Sequence, residues 1–398
     1  MSQSLKVFLR SGRDDAVRRF HPWVFSGAIK KMEGPAWDGC HAEVFSNKNE
    51  YLGCGIYQDA TIAVRLLAFA PERPTAFGPA FWREKLMEAL LLRQLAGLTD
   101  NPMTNVYRLV HGEGDHLPGL IIDHYNGHLV IQIHATGLYR FIDDIAESLR
   151  TIYGDRLQSI YDKSRDTLPA TFWQDKLPKG FLTGEAGAVE VIENGLRFIV
   201  DIEKGQKTGF FIDQRENRQL LSRYCKGKKI LNTFSYSGGF SVYALNAGAA
   251  AVHSVDSSVR AMDLCKRNVA LNGGEEKHTA LIEDAMDHLK SVDHTYDVLV
   301  LDPPAYAKHQ HVKHKAVQGY KRLNLEALKC IAPGGVLFTF SCSQVVDMRL
   351  FHSTVTAAAI LAGRKVRVLH QLAQPADHPV NIFHPEGQYL KGLVLVVD

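Results

Sequence analysis

Leu231-Asn232-Thr233-Phe234-Ser235-Tyr236-Ser237-Gly238-Gly239-Phe240 is the stretch on which the fold turns. It closes a short strand, Lys229 to Leu231, passes through a glycine pair and opens into the helical run Ser241 to Ala247. Glycine in such a turn accepts positive φ and lets the backbone approach a ligand. The turn lacks the G-x-G-x-x-G spacing of a dinucleotide fingerprint, so alone it is a weak signal. Its weight comes from what surrounds it. Strands are expected at Lys229 to Leu231, Ala251 to Asp256, Thr279 to Glu283, Asp297 to Leu301 and Val336 to Phe340. Helices are expected at Asp213 to Arg223, Ser241 to Ala247, Val259 to Leu271, Tyr320 to Cys330 and Met348 to Ala362. That alternation gives an α/β domain with a mostly parallel, doubly wound sheet covered on both faces. Lys365 to Leu369 and Tyr389 to Val397 are further strands closing one edge.

Ligands of such a sheet bind at the carboxyl ends of its strands. Here those ends read Val255-Asp256, Glu283-Asp284, Asp302-Pro303-Pro304 and, after a strand set off by Pro333-Gly334-Gly335, Ser341-Cys342-Ser343. Asp256 stands where an acid bonds ribose hydroxyls in doubly wound folds. Any one of these acids reads equally well as a helix N-cap; three in order after a glycine turn are not explained by capping alone. Cys342 is one of six cysteines, with Cys40, Cys54, Cys225, Cys265 and Cys330, and none forms a C-x-x-C pair. That argues against a zinc ribbon or a thioredoxin-type site, and a free Cys is by default a small buried hydrophobe. Cys342 departs from the default only by position. If the fourth and fifth strands are neighbours, its thiol and Asp302 face one crevice.

Upstream, Gln206-Lys207-Thr208-Gly209-Phe210-Phe211-Ile212-Asp213-Gln214-Arg215 sets paired aromatics before an Asp that could cap the next helix, with a hydrophobic staple. Val189 to Glu193, Asn194-Gly195 and Leu196 to Ile202 form the strongest hairpin signal, since Asn-Gly fits a type I′ turn. Residues 1–72 read as a small β-rich module, with strands at Val7 to Leu9, Ala42 to Phe45, Tyr51 to Tyr57 and Thr61 to Phe69. Within it, Arg18-Arg19-Phe20-His21-Pro22-Trp23-Val24-Phe25 mixes cations and rings. The mixture suits nucleic acid, but on this segment alone a small-domain core is the simpler reading. Residues 75–187 read as a separate α+β unit and 188–398 as the doubly wound domain.

Hydrophobic content of 45% and charged content of 22% describe an ordinary globular chain. No apolar run approaches a membrane span, and Met1-Ser2-Gln3-Ser4 does not begin a signal peptide; a cytoplasmic protein is expected. Net charge is +3, compatible with nucleic acid without demonstrating it. From Ala305 to Leu325 there is no acid, while Lys308, Lys313, Lys315, Lys321 and Arg322 follow Asp302 closely. A solvated face explains such a run; its place beside the crevice makes phosphate contact the sharper expectation. His309, His311 and His314 lack a nearby Cys or carboxylate and helical i, i+4 spacing, so no metal is expected.

Arg19-Phe20-His21-Pro22-Trp23-Val24-Phe25-Ser26-Gly27-Ala28-Ile29, with Val64-Arg65-Leu66-Leu67, resembles the start of a PUA domain, an RNA-binding module. The glycine turn with its strand-end acids resembles the class I S-adenosylmethionine-dependent methyltransferase fold, which is Rossmann-like. Lys207 to Arg215 matches K-T-G-F-F-x-D-Q-R of one ribosomal RNA methyltransferase group. With Asp302-Pro303-Pro304-Ala305-Tyr306, Ser341-Cys342-Ser343, His378-Pro379-Val380 and Pro385-Glu386-Gly387-Gln388-Tyr389-Leu390-Lys391-Gly392, the likeness covers nearly the whole chain. It is to the RlmI family, 23S ribosomal RNA cytosine-C5 methyltransferases. The resemblance implies S-adenosylmethionine as cofactor. Gln206, Lys207, Thr208, Phe211, Asp213 and Arg215 would line its methionine end, and Asn232, Phe234 and Gly238 would shape the turn. Asp256 would take the ribose, Asp284 the adenine amine, and Asp302 would border the same site. It further implies large-subunit ribosomal RNA as partner, reached by Arg19, Trp23, Lys308, Lys313, Lys315, Lys321 and Arg322, and is compatible with a homodimer.

The residues allow the corresponding chemistry. Carbon 5 of cytosine is a poor nucleophile; a thiolate adding at carbon 6 turns the ring into an enamine that can take a methyl group. An acid at N3 stabilises the charge pushed there. This assigns Cys342 as nucleophile and Asp302 as its partner at N3. Many RNA cytosine-C5 enzymes carry a second Cys after the Asp-Pro; here Pro304-Ala305-Tyr306 holds none, so water or Asp302 must remove the C5 proton. Two alternatives stand beside this reading. One is an exocyclic-amine RNA methyltransferase, acting on guanine N2 or adenine N6, since Asp-Pro-Pro followed immediately by an aromatic marks such enzymes; here Ala305 intervenes before Tyr306, and Cys342 would be idle. The other is a non-catalytic RNA-binding ribosome-assembly factor.

Overall fold

The N-terminal alternation folds as six strands: Leu5–Leu9 (β1), Trp23–Phe25 (β2), Ile29–Glu33 (β3), His41–Phe45 (β4), Tyr51–Tyr57 (β5) and Ile62–Phe69 (β6). They form one sheet in the order β2-β6-β5-β4-β1-β3. A single helical turn, Asp15–Arg18 (α1), joins the first two. Leu5, Val7, Leu9, Val44, Val64 and Leu66 close its core. Strands β2 and β3 are not expected from the sequence. The burial of Ile29–Glu33 is intermediate at its first residue and exposed thereafter, so it carries no alternation to read, and it is a strand because it pairs antiparallel with β1. This computed structural model describes residues 4–174, 176–307 and 312–398.

Helix Pro79–Leu95 (α2) begins with proline at its first turn, where the missing N–H costs nothing. Strands Val106–His111 (β7), Leu120–Tyr125 (β8), His128–Ile133 (β9), Ser159–Asp162 (β10) and Gly180–Thr183 (β11) form a sheet in the order β11-β10-β9-β8-β7, with helix Ile142–Tyr153 (α3) between β9 and β10. Trp82, Leu86 and Leu90 of α2 share a core with Ile122, Ile131, Ile145 and Leu149.

Next comes the hairpin Ala188–Glu193 (β12) and Leu196–Asp201 (β13). Asn194 and Gly195 take φ of 49° and 81°, the two left-handed residues of a type I′ turn. The chain divides into two compact units. The first holds Met1–Val189 with Val200–Phe210 and Ala376–Gly387. The second holds Glu190–Ile199, Phe211–Pro375 and Gln388–Asp398. The segment 376–387, read as part of the C-terminal motif, is thus tied into the first unit: Arg93 donates to Asp377 O at 2.9 Å, and the Arg108 N–H donates to Asp377 Oδ2 at 3.0 Å.

The second unit is built on seven strands: Lys229–Thr233 (β14), Ala251–Asp256 (β15), His278–Ile282 (β16), Tyr296–Leu301 (β17), Ile331–Ser341 (β18), Val366–Leu372 (β19) and Lys391–Val397 (β20). Their order is β16-β15-β14-β17-β18-β20-β19. All pairs from β16 to β18 are parallel, and β20 is antiparallel to both its neighbours. Helix Arg215–Leu221 (α4) precedes the first of them, and helices Gly239–Asn246 (α5), Val259–Leu271 (α6), Ala285–Ser291 (α7), Lys313–Cys330 (α8) and Met348–Ala362 (α9) lie between successive strands. Two apolar clusters, on Leu299, Leu328 and Phe351 and on Ile230, Val298 and Phe340, form its core. The strand order reverses between β14 and β17, and such a switch point is where an open α/β sheet binds its ligand.

Pro333-Gly334-Gly335 does not precede the fifth strand, as its composition suggests. It lies inside β18, as a bulge that lets Tyr296 pair with Ile331 and Val298 with Val336. Gly334 takes φ 76° there.

Candidate active site

The register of β17 and β18 sets the site. Leu301 pairs with Thr339, so Asp302 and Cys342 leave the same edge of the sheet on adjacent strands. Cys342 Sγ lies 3.7 Å from the carbonyl of Pro303. Ser343 ties the two loops together: its Oγ accepts from the Ala307 N–H at 3.4 Å and bonds the Tyr320 hydroxyl at 2.9 Å. Of the six cysteines, Cys342 alone is partly exposed.

Asp302 has one hydrogen bond from a side chain, Gln214 Nε2 to Oδ1 at 3.0 Å, and Gln214 is oriented by Asn217 at 2.6 Å. Burial and the neighbouring charge of Asp213 push the Asp302 carboxyl up to about 7, against the pull of the Gln214 bond. Asp302 therefore carries its proton for much of the time at neutral pH, and it can donate as well as accept. Burial, then the charges of Asp302 and Asp213, push the Cys342 thiol up to about 12. Asp213 accepts from the Tyr389 hydroxyl at 2.7 Å through Oδ2, while its Oδ1 is buried without a partner. It does not cap the following helix, as its position suggests: the N-cap of α4 is Gln214, with no side-chain cap bond. Asp213 instead sits in a 3-10 turn, Ile212–Gln214, aimed at Tyr389.

The glycine turn is strained as a ligand cradle would be. Phe234, Tyr236 and Gly238 take φ of 54°, 44° and 76°, and bulky residues seldom adopt positive φ without a functional reason. A Cβ on Gly238 would lie 2.5 Å from Cys265 Sγ, so only glycine fits. Asp256 folds over the turn, accepting from the Tyr236 N–H at 2.9 Å and the Ser258 N–H at 2.9 Å. Asn232 donates to Ser241 Oγ at 2.9 Å, and its Oδ1 is buried without a partner. Asp284 caps α7 through Oδ1 and is exposed. Phe211 is half-buried against Tyr236, ring centroids 5.2 Å apart, and Arg215 is buried. Two orphaned buried oxygens, on Asn232 and Asp213, a glycine-only approach and a row of strand-end acids suit a nucleoside with a charged tail.

The other expected site residues stand on other elements. Gln206, Lys207 and Thr208 belong to the first unit. Gln206 and Lys207 are exposed, whereas Thr208 is buried and donates to Asp123 Oδ2 at 2.6 Å and bonds the Tyr125 hydroxyl at 2.8 Å. Arg19 is exposed. Trp23 is half-buried and its indole N–H donates to Glu113 Oε1 at 2.9 Å; its neighbours Phe20 and Phe25 are the open rings, each 45% exposed. Lys315 and Arg322 are exposed on α8, Lys313 and Lys321 half-buried on it, and Lys308 lies outside the described residues. His309 and His311 lie outside them as well. His21, His384 and Glu386 gather in the first unit, but the Trp23 N–H donates to His21 Nδ1 at 3.2 Å. That bond occupies the Nδ1 lone pair, and Nε2 is the nitrogen that faces Glu386.

Sequence reasoning gave no role to Gln214, Asn217 or Lys391. All three stand within or beside quoted motifs; Gln214 reaches Asp302 and Lys391 reaches the Ser343 carbonyl, both far along the chain, while Asn217 acts through Gln214.

The sheet order, its switch point and the cradle define a doubly wound α/β protein with a ligand crevice at the switch point. Residues 108–379 match the S-adenosylmethionine-dependent methyltransferase family, and residues 7–69 match the PUA-like domain. The chain is 39% identical to ribosomal RNA large subunit methyltransferase I of Aeromonas salmonicida, covering 98% of this chain and 99% of that one. It is 37% identical to the protein of the same name from Escherichia coli strain SMS-3-5, covering 98% of both. The chain belongs to this family of S-adenosylmethionine-dependent methyltransferases, and S-adenosylmethionine is its cofactor. The fold agrees with two solved structures. One is a candidate SAM-dependent methyltransferase from Streptococcus mutans, with a TM-score of 0.82 at 21% identity over 98% of this chain and 99% of that one. The other is a candidate methyltransferase complexed with SAH, with a TM-score of 0.83 at 22% identity over the same shares. Among the described residues no helix is long and apolar enough to cross a membrane.

Proposed function

We propose that the protein methylates carbon 5 of a cytosine in large-subunit ribosomal RNA, with Cys342 as nucleophile and Asp302 as the acid at N3. The observation that carries this reading is one juxtaposition: a partly exposed thiol against the Pro303 carbonyl, next to a carboxyl that keeps its proton near neutrality. S-adenosylmethionine supplies the methyl group, electrophilic at carbon because it is bound to a sulfonium. The cradle residues Asn232, Phe234, Gly238 and Asp256, with Asp213, Arg215, Phe211 and Asp284, are the ones we assign to holding it.

The chain's own residues then do the following. Cys342 gives its proton to solvent water and its sulfur bonds to C6, while the C5–C6 π electrons move through C4 to N3 and Asp302 transfers its proton there. Carbon 5, now an enamine carbon, takes the methyl group. The C5 proton leaves to the Asp302 carboxylate or to water, the S–C6 bond breaks as N3 gives up its proton to the other of the two, the ring regains its aromaticity and the thiolate takes back a proton from solvent. The raised pKa of the thiol is opposite to that of most reactive cysteines, so forming the thiolate needs a positive charge beside it.

The amine-transfer alternative needs a ring free to stack a base. Tyr306, the aromatic after Asp302-Pro303-Pro304-Ala305, packs instead on Tyr320, ring centroids 4.7 Å apart, with its edge in contact with Gly319. We assign residues 1–72 to RNA binding as the PUA-like module, 75–187 to a central domain and 188–398 to catalysis, with Arg19, Lys313, Lys315, Lys321 and Arg322 contacting phosphate.

The test is Cys342→Ser assayed by bisulfite sequencing of ribosomal RNA. Cytosine-C5 transfer should fall by at least about 10³-fold, as when other covalent nucleophiles are removed, with cofactor binding by calorimetry unchanged. Full transfer by the variant would end the reading. Lys315→Glu with Arg322→Glu should weaken RNA binding and lower its salt slope by about 2.

A further inference from the structure

Lys391 opens β20 and pairs with Ser341 across β18. Its side chain is buried, with the residue 2% exposed. Among the described residues it makes no salt bridge. Its Nζ donates instead to the carbonyls of Ser343 at 2.7 Å and Tyr389 at 2.6 Å. A buried ammonium without a counter-ion is costly, and burial pulls this one down to about 8. The surroundings say what the positive charge answers. Asp302 and Asp213 both oppose ionisation of the Cys342 thiol, and Lys391 is the charged side chain that favours it. Tyr320, bound to Ser343 Oγ, is the remaining titratable group in range, and Asp347 faces Lys391 in turn. The carbonyl that Lys391 grips belongs to the residue after Cys342.

We propose that Lys391 is a positioning residue for Cys342: its ammonium pins the turn that carries the thiol and supplies the positive charge that offsets the thiolate as sulfur adds to the base. This inference rests on Cys342 being the nucleophile, so its test uses no RNA. Cys342 is the one partly exposed cysteine, and iodoacetamide alkylation of the native protein therefore reads its thiolate, with Cys342→Ser as blank. In the wild type, the logarithm of the rate should rise with pH, show a shoulder near pH 8 as Lys391 loses its proton, and rise again. Lys391→Gln keeps a donor for one carbonyl but carries no charge. It should lose the shoulder and react about tenfold more slowly at neutral pH, the equivalent of one pKa unit. Lys391→Arg should stay within about twofold of wild type.

Two results overturn the proposal: a folded Lys391→Gln protein, with cofactor binding intact, that alkylates with the wild-type profile; or a wild-type profile without a shoulder, which settles the matter even if Lys391→Gln does not fold. Neither touches the nucleophile assignment, which stands or falls with methyl transfer by Cys342→Ser.

Discussion

Two inward-facing carboxylates of the first unit are held unlike those at the strand ends of the second. In the first, Arg93 forks onto Asp115, and Arg108 forks onto Asp123 at 2.8 and 2.9 Å. The second unit does the same once, where Arg218 grips Glu193 at 2.8 and 2.7 Å. At the strand ends it does not. Asp302 receives one amide and Asp213 one phenol, and among the described residues neither has a salt bridge. A carboxylate given a guanidinium is fixed in its charge and serves as architecture. A carboxylate given only a neutral donor, next to another acid, can hold a proton and pass it on. The difference is between a brace and a reagent.

The largest expected effect separates the two in activity. Asp302→Asn should lower methyl transfer by about 10²–10³-fold, the usual cost of losing a positioned acid, and abolish the fall in rate above pH 7. Asp115→Asn should leave that pH profile in place. A profile unchanged by Asp302→Asn would remove the contrast.

Next comes stability. Asp115→Asn leaves Arg93 buried with half its partner gone and should cost roughly 3–5 kcal/mol in denaturant titration. Asp302→Asn should act in the other direction. The folded pKa of Asp302 is raised from 3.8 to about 7, so the folded state binds the proton more tightly and its stability falls as pH rises between those values, then levels off. At pH 8, without cofactor, the Asn variant should be more stable than wild type by roughly 2–4 kcal/mol, and the two should converge near pH 4.

Gly238→Ala sharpens the contrast from the cofactor side. A methyl group 2.5 Å from Cys265 Sγ at φ 76° should cost roughly 1–3 kcal/mol of stability and at least tenfold in S-adenosylmethionine affinity by calorimetry. The smallest effect is expected for Gln214→Leu. That bond favours the ionised form of Asp302, so its loss should move the alkaline limb of the rate profile upward.

Much of this was legible in the chain. Helices Val259–Leu271 and Met348–Ala362 have the bounds their apolar spacing gives, and strand Tyr51–Tyr57 does too. The parallel strands that end at Asp256, Asp302 and Cys342 stand in one sheet, and neighbouring β17 and β18 bring Asp302 and Cys342 to one edge as expected. What escaped reading depends on partners distant in sequence. Strand Ile29–Glu33 lies mostly in solvent and exists through pairing with β1. The grip of Arg93 on Asp377 spans 284 positions, and no local pattern announces it. Gln214 and Lys391 are ordinary polar residues until the fold delivers Asp302 to one and the Ser343 carbonyl to the other.

The acidic setting of Cys342 has a consequence outside catalysis. Oxidants and drug-like electrophiles attack thiolates, and a thiol held up to about 12 offers almost none at rest. The protein should therefore tolerate peroxide that inactivates enzymes with pre-ionised cysteines. An inhibitor aimed at this sulfur would have to bring a pyrimidine-like body with it rather than rely on warhead reactivity.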